Sequence, residues 1–431
     1  MINIGIMLLV FLLLLFAGMP VAFVLSISSV VYCLISGNAQ FLYIIGHNFF
    51  TGMDNFVLMA VPLFILTGEI MNKGDITNKL VDFANLLVGR FRGGLAYMDV
   101  LSCMFFAGIT GSALSEVAAL GSIMIPAMEK TGYDKEYSSA VTAAAAIQGP
   151  LIPPSIPAVL IAAVTGASTG ALFIGAAIPG FCLGLACCLI TYFVAKKRQY
   201  PKEERKFSLK EVLQLTIKSF FPLLTPFIII GGLLTGAFTP TESAAISVFY
   251  SLIVTMIGYK RFTRKEFAEI LKSTIVSTAM IYLIIGAASG FAWILAIENI
   301  PSIISDFLVN FSQHKAVTLL IINIFLLFWG MWMDTAPSIM ILMPMLFPIA
   351  NGLGIHPIHF GVIVLLNLMI GLLTPPFGMV LFSAQAVSRV DLRGLLRELK
   401  PFLLVDFVIL GLVTFVPEIS LFLPRLFGLI N

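Results

Sequence analysis

The sequence predicts an all-α polytopic membrane protein made of two related halves. Each half holds five spans plus one re-entrant hairpin, and the second is inverted relative to the first. Three observations carry this. Hydrophobic residues make up 59% of the chain and charged residues 11%, with mean hydropathy +1.04, whereas a soluble chain carries about a quarter charged residues. The signal Gly-x-x-x-Pro-Pro occurs twice, at Gly149 to Pro154 and Gly371 to Pro376, 222 residues apart. The same offset matches Gly68 with Gly290, Gly108 with Gly330, Pro126 with Pro348, Gly132 with Gly354 and Pro179 with Pro401, the mark of a duplication. The third observation is the segregation of positive charge described below.

The first half, 1–195, starts with apolar helices at 3–17 and 20–36, parted by Gly18-Met19-Pro20. With no basic stretch before it, the first reads as a span, not a removed signal. A third helix covers 56–72. Segment 76–92 carries Lys79, Asp82, Arg90 and Arg92 and suits an interfacial helix. The apolar pair 95–108 and 113–128 turns at Gly108-Ile109-Thr110-Gly111-Ser112, and each arm is short for a crossing, so 95–128 is a re-entrant hairpin. The helix 134–168 is broken at the first Pro-Pro pair, and 170–195 closes the half.

A cytoplasmic linker, 196–218, leads to the second half, 219–431, with spans at 219–237, 241–258 and 275–296. A polar-edged stretch, 298–315, replaces the interfacial helix. The hairpin 316–350 turns at Gly330 to Thr335, the helix 357–387 is broken at the second Pro-Pro pair, and 401–424 is the last span. Five is odd, so the halves are oppositely oriented. With the N-terminus outside, 23 of the 25 Lys and Arg face the cytoplasm and only Lys315 and Arg425 do not, which satisfies the positive-inside rule.

Corresponding Gly/Pro-interrupted segments in two halves of a membrane protein point to a transport site. Pro153 and Pro154 free the carbonyls of Gly149 and Pro150, and Pro375 and Pro376 those of Gly371 and Leu372, because proline has no N–H. Clustered oxygens suit a desolvated Na⁺. The half-helices that begin at Ser155 and Phe377 point positive ends inward, which suits an anion. The second hairpin tip adds Asp334 and Thr335, and an intramembrane acid is functional by default. Glu116 lies on the returning arm of the first hairpin. Asp99, Glu69 and Glu242 are expected at solvated helix ends, and the four His in loops, with no metal site. The five Cys read as buried free thiols. The chain has no Gly-Lys dipeptide and hence no phosphate loop, so ATP is not expected as the energy source. Protease and serine-nucleophile motifs are missing too, so an enzyme is not expected, and the net charge of +3 implies no nucleic acid.

The chain resembles the large membrane subunit of tripartite ATP-independent periplasmic (TRAP) transporters, in the ion-transporter superfamily, over nearly its whole length. The resemblance is carried by Val61 to Glu69, Leu80 to Ala84, Met104 to Ala113, Gly149 to Pro157, Phe238-Thr239-Pro240-Thr241-Glu242-Ser243-Ala244-Ala245, and Leu373 to Gly378. It implies an elevator, in which a transport domain bearing hairpins and broken helices slides against a scaffold in the bacterial inner membrane. It implies Na⁺-coupled uptake of a small organic anion such as a dicarboxylate or sialic acid. The implied partners are a periplasmic substrate-binding protein and a separate small membrane subunit. Carried over by motif, one Na⁺ site is Ala107, Thr110, Gly149, Ile152 and Pro154, and the other Gly330, Met333, Gly371, Thr374 and Pro376. Substrate lies between Ser112, Ser155, Asp334 and Thr335. The run Ala143 to Gln148 departs from the small or hydroxylated residues usual in the family, and gives Gln148 a substrate contact. A self-sufficient Na⁺/carboxylate symporter and an ion channel are the alternatives.

The inverted layout makes a direct prediction. Cysteines introduced by Lys202→Cys and Asn351→Cys are expected to react with an impermeant reagent from opposite faces of the membrane. Reaction of both from one face would refute the inversion.

Overall fold

A computed structural model describes residues 2–38, 40–202, 208–259, 262–304 and 314–430, with the backbone alone at 108–110. The first half runs α1 (Ile2–Phe16), α2 (Val21–Ser36), α3 (Gln40–Met53), a 3-10 turn (Phe56–Met59), α4 (Ala60–Lys73), α5 (Ile76–Val88), α6 (Gly94–Thr110), α7 (Ala113–Lys130), α8 (Lys135–Ala146), a second 3-10 turn (Gly149–Leu151), α9 (Ile156–Thr165) and α10 (Thr169–Arg198). The second runs α11 (Leu209–Leu234), α12 (Pro240–Gly258), α13 (Arg264–Ile297), α14 (Lys315–Gly330), α15 (Thr335–Gly352), α16 (Pro357–Gly371), α17 (Met379–Ser388), α18 (Leu392–Phe415) and α19 (Glu418–Leu426). Seven described helical segments are long and apolar enough to cross a membrane, or eight with the bent pair α18–α19.

The 222-residue offset recurs in the helix boundaries. The starts of α7 and α15, and of α8 and α16, lie 222 residues apart, and those of α6 and α14, α9 and α17, and α10 and α18 agree within one residue. Both Pro-Pro bonds, Pro153–Pro154 and Pro375–Pro376, are cis. Packing follows the same pattern. The first half of each broken helix packs on its own hairpin, α8 on α6 and α7, and α16 on α14 and α15. The second half packs on the returning arm of the other hairpin, α9 on α15 and α17 on α7. The hairpins and breaks are thereby interlocked in one core, with α10 and α18 alongside α8. Helices α2, α3, α4 and α12 gather round α13 and one another.

Several boundaries differ from the sequence-based expectation. Helix α3 was not foreseen, since Gly46, His47, Asn48 and Thr51 dilute its hydropathy; it packs along α13. Helices α11 and α13 start earlier than 219 and 275, each at a capping box in which Ser208 with Glu211, or Thr263 with Glu266, satisfies the first amides. The last span is two helices bent by 61° at Val416-Pro417. Of the stretch 298–315, residues 305–313 lie outside the described residues, as do 203–207 of the linker. His359 is buried within α16, bonded to Ser420 Oγ at 2.7 Å, not in a loop, and His47 lies in α3. Asp99 is fully buried within α6, not solvated at a helix end. Glu242 does sit at a helix start, as the third residue of α12's capping box.

On the face carrying most of the cations, Arg198 at the end of α10 ties three elements together. It donates to Asp134 Oδ2 at 2.6 Å and to both oxygens of Glu398 on α18 at 2.8 and 2.6 Å. The Tyr200 hydroxyl donates to the same Asp134 oxygen at 2.7 Å. This bond, and then Arg198, hold the Asp134 carboxyl below the ordinary carboxylate range. A lowered folded-state value gives stability that is present above the unfolded value of about 4 and is lost as pH falls through the folded value. Asp134→Asn is therefore expected to melt below the parent protein at neutral pH and to converge with it in acid. A deficit independent of pH would refute the ionic account.

Candidate functional site

Each hairpin tip lies on a break. In the first half α6 ends at Gly111, whose φ of 58° is left-handed and whose N–H bonds Ala107 O at 3.3 Å. A Cβ on Gly111 would stand 3.1 Å from Pro154 O and 3.3 Å from Ile156 N, so glycine lets the tip settle on the break. Glu116 of α7 is fully buried, its carboxylate against the Cα of Gly149. The structure thus brings together the backbones of Gly111 and Pro154, beside Ala107 of the first expected Na⁺ set. Ile152 is buried, its N–H shared between Gln148 O and Gly149 O. The Thr110 side chain lies outside the described residues.

In the second half Gly330 closes α14 against Gly371 at the end of α16. A Cβ on Gly371 would stand 2.8 Å from Gly330 Cα, so the two backbones touch only because both residues are glycine. Beside them the rings of Trp332 and Phe377 lie 4.2 Å apart. Met333 is 2% exposed, and Thr374 Oγ1 donates to Ile370 O at 2.7 Å, leaving its lone pairs unused by that bond. Pro376 is exposed, unlike its counterpart Pro154.

The carbonyls expected to be freed by the prolines have found donors. Gly149 O accepts from Ile152 N, Pro150 O from Ser155 Oγ, Gly371 O from Thr374 N and Leu372 O from Val380 N. The chain folds back at each break, so local turns supply what the helix ladder no longer can. A carbonyl has a second lone pair, so an ion is one partner among two, not a substitute for a missing one.

Between the tips lies a cavity of about 100 Å³ lined by Gly111, Ser112, Ala113, Leu114, Pro150, Ile156, Pro157, Ile281, Asp334, Thr335, Ala336, Met369 and Leu372. Three expected substrate residues, Ser112, Asp334 and Thr335, line it. The other two do not. Ser155 is the N-cap of α9, donating to Pro150 O and accepting from Ala158 N at 3.2 Å. Gln148 is turned toward α6, where its Nε2 donates to Val100 O at 3.2 Å.

The lining comes from the first turns of α7, α9 and α15, where helical amides lack intrahelical partners. Asp334 Oδ1 takes Thr335 N at 2.7 Å, whereas Ser112 makes no capping bond to α7. Thr335 Oγ1 is buried without a partner among the described residues. Ser112, Ile156 and Ile281 also line a larger cavity of about 500 Å³, together with Gly68, Glu69, Asn72, Ser115 and Ser277, so the two spaces share a wall. Glu69 accepts from Ser273 at 2.8 Å and lines that space. Its wall on α13, Ile281 and Ser277, carries no motif and was not legible in the sequence.

The chain belongs to the family of the tripartite ATP-independent periplasmic transporter, DctM component, whose model matches residues 8–419. It is 40% identical over 417 residues to the sialic acid TRAP transporter large permease protein SiaM of Vibrio cholerae, covering 96% of each chain. It is 40% identical over 380 residues to the C4-dicarboxylate TRAP transporter large permease protein DctM of Pseudomonas aeruginosa, covering 88% of this chain and 89% of that one. In fold it resembles the YdaH transporter of Alcanivorax borkumensis, with TM-score 0.62 at 16% identity and 89% of each chain covered. The chain is accordingly a multi-pass inner-membrane permease protein.

The glycine seam yields a prediction. Gly371→Ala forces its Cβ onto backbone that cannot rotate away, and is expected to destabilise by about 1–3 kcal/mol, read as a lower melting temperature in detergent. An unchanged melt would mean that the backbones are not in contact.

Proposed function

We propose that this chain is the transporting subunit of a binding-protein-dependent system, moving a small organic anion into the cell on a Na⁺ gradient. The observation that carries the reading is the cavity between the tips. Three helix N-termini line it, and no Lys or Arg is among its lining residues. An anion there is held by amides and helix dipoles, chiefly those of the uncapped α7, with Thr335 Oγ1 as a further donor. The sialic acid and C4-dicarboxylate in the relatives' names both carry carboxylates, and that is the substrate class proposed.

Asp334, at the same cavity, repels an anion and attracts a cation. Na⁺ at the two tip–break seams offsets that charge, so ion and substrate favour each other. The proposed ligands are Ala107, Thr110, Gly149, Ile152 and Pro154 at one seam, and Gly330, Met333, Gly371, Thr374 and Pro376 at the other. The interlocked hairpins and breaks form the moving body of an elevator, and α13 with its neighbours the scaffold, in an inverted repeat. The larger cavity beside the site is the proposed access route to it from one side. A small membrane subunit and a periplasmic substrate-binding protein complete the system, as the tripartite family description suggests.

Proteoliposomes holding the assembled system, without ATP, are expected to accumulate substrate when Na⁺ is higher outside; equal uptake with K⁺ in place of Na⁺ would overturn the coupling. Thr374→Val keeps shape and removes an oxygen. Losing that oxygen is expected to cost ~1–3 kcal/mol and to raise the Na⁺ needed for half-maximal uptake by roughly tenfold or more. Unchanged Na⁺ dependence in both Thr374→Val and Asp334→Asn would remove the ion from this seam.

A further inference from the structure

Asp99 of α6 is fully buried and lines neither of the two adjacent cavities. Its Oδ2 lies 2.5 Å from Thr142 Oγ1 on α8, and its Oδ1 has no partner among the described residues. Thr142 Oγ1 also lies 2.9 Å from Ser138 O, one turn back on α8. A threonine hydroxyl has one proton to donate. If Asp99 were ionised, two acceptors would compete for that proton, and one contact would set oxygen against oxygen. If Asp99 is protonated, the chain closes: Asp99 Oδ2–H donates to Thr142 Oγ1, and Thr142 donates to Ser138 O.

The surroundings agree. Buried on the elements packed around α6 and α8 are Cys103 of α6, Glu116 of α7, Cys187 of α10 and Asp406 of α18, none of them a cation. Asp406 is itself 2% exposed, and its Oδ2 has no partner among the described residues. The cations on the packed elements are engaged or exposed. Lys73 of α4 pairs with Glu269, Lys79 of α5 with Asp82, Lys135 of α8 with Glu129, and Arg198 of α10 with Asp134 and Glu398, while Lys130 of α7, Lys196 and Lys197 of α10, Lys210 and Lys218 of α11, and Arg393, Arg397 and Lys400 of α18 are exposed. An isolated carboxylate so deep neutralises rather than stays charged.

We propose that Asp99 is a proton-binding site of the hairpin-bearing body: it carries a proton at neutral pH and uses it to fasten the hairpin arm α6 to the broken helix α8. The site takes a proton only, is separate from the cavity between the tips, and makes Asp99 a positioning residue. Its bond to Thr142 lets the hairpin and the first half of its broken helix shift as one piece.

The test uses the full chain reconstituted in lipid. Infrared spectra at neutral pH are expected to show a protonated-carboxyl C=O stretch that Asp99→Asn removes and that Thr142→Val moves to higher frequency. Asparagine keeps the donor through its Nδ2, so Asp99→Asn is expected to fold. A proton bound in the native state alone makes stability fall as pH rises from the unfolded carboxyl value of about 4 through the folded one, so the decline in melting temperature from mildly acid to neutral pH should be shallower in Asp99→Asn than in the parent. Identical carboxyl bands in parent and Asp99→Asn would overturn the proposal, as would an unshifted band in Thr142→Val. Parallel melting curves against pH would overturn it too.

Discussion

A helix broken inside a membrane exposes carbonyls that hydrocarbon cannot satisfy, and most of this architecture follows from meeting that constraint twice. At each Pro-Pro pair the chain turns back on itself. Ile152 N, Ser155 Oγ, Thr374 N and Val380 N supply the donors the prolines withhold. Turning back is not enough, because the ends of the half-helices still need covering. The hairpins cover them, and they do so crosswise: α7 serves α8 and α17, and α15 serves α16 and α9. Neither hairpin can leave its own break without disturbing the other. That makes the hairpins and breaks one interlocked core, and it requires each tip to approach a break at backbone distance. Gly111 on Pro154 and Ile156, and Gly330 on Gly371, are where that approach is made.

The helix breaks at the two Pro-Pro pairs and the 222-residue offset of the helix starts were legible in the sequence because each depends on Gly, Pro or uninterrupted hydropathy. The membrane class and the family followed from the same residues. What could not be read lay in amphipathic or tertiary detail. Helix α3 mixes Phe41, Ile44 and Phe49 with Gly46, His47 and Asn48, and it is stabilised by lying along α13. The early starts of α11 and α13 were written in Ser208-x-x-Glu211 and Thr263-x-x-Glu266, signals that hydropathy overrides. Ser155 and Gln148 were expected at the substrate because they flank the break. Their side chains are taken up by an N-cap and by Val100 O, roles that depend on which neighbour arrives in space. Asp99 was misjudged for the same reason: near the start of an arm, it is enclosed by α8 and α10, which sequence distance does not reveal.

The two seams are duplicates in sequence but not in environment. From Leu151 to Leu160 every residue of the first break is buried, whereas Pro376 and Phe377 of the second are exposed and Trp332 lies over Phe377. The larger cavity lies beside the site along α7, the arm of the first hairpin, with Ser112 and Ser115 in its wall. If the two seams were equal in every respect, nothing would distinguish one side of the site from the other. A duplicated element held in two different surroundings does distinguish them, and on the proposed elevator, exchanging those surroundings reverses the access without rebuilding either seam. On the proposed function, the sidedness of transport then needs no dedicated gate. It comes from one interlocked body, fixed internally by glycine contacts and the Asp99–Thr142 bond, changing its position against α13.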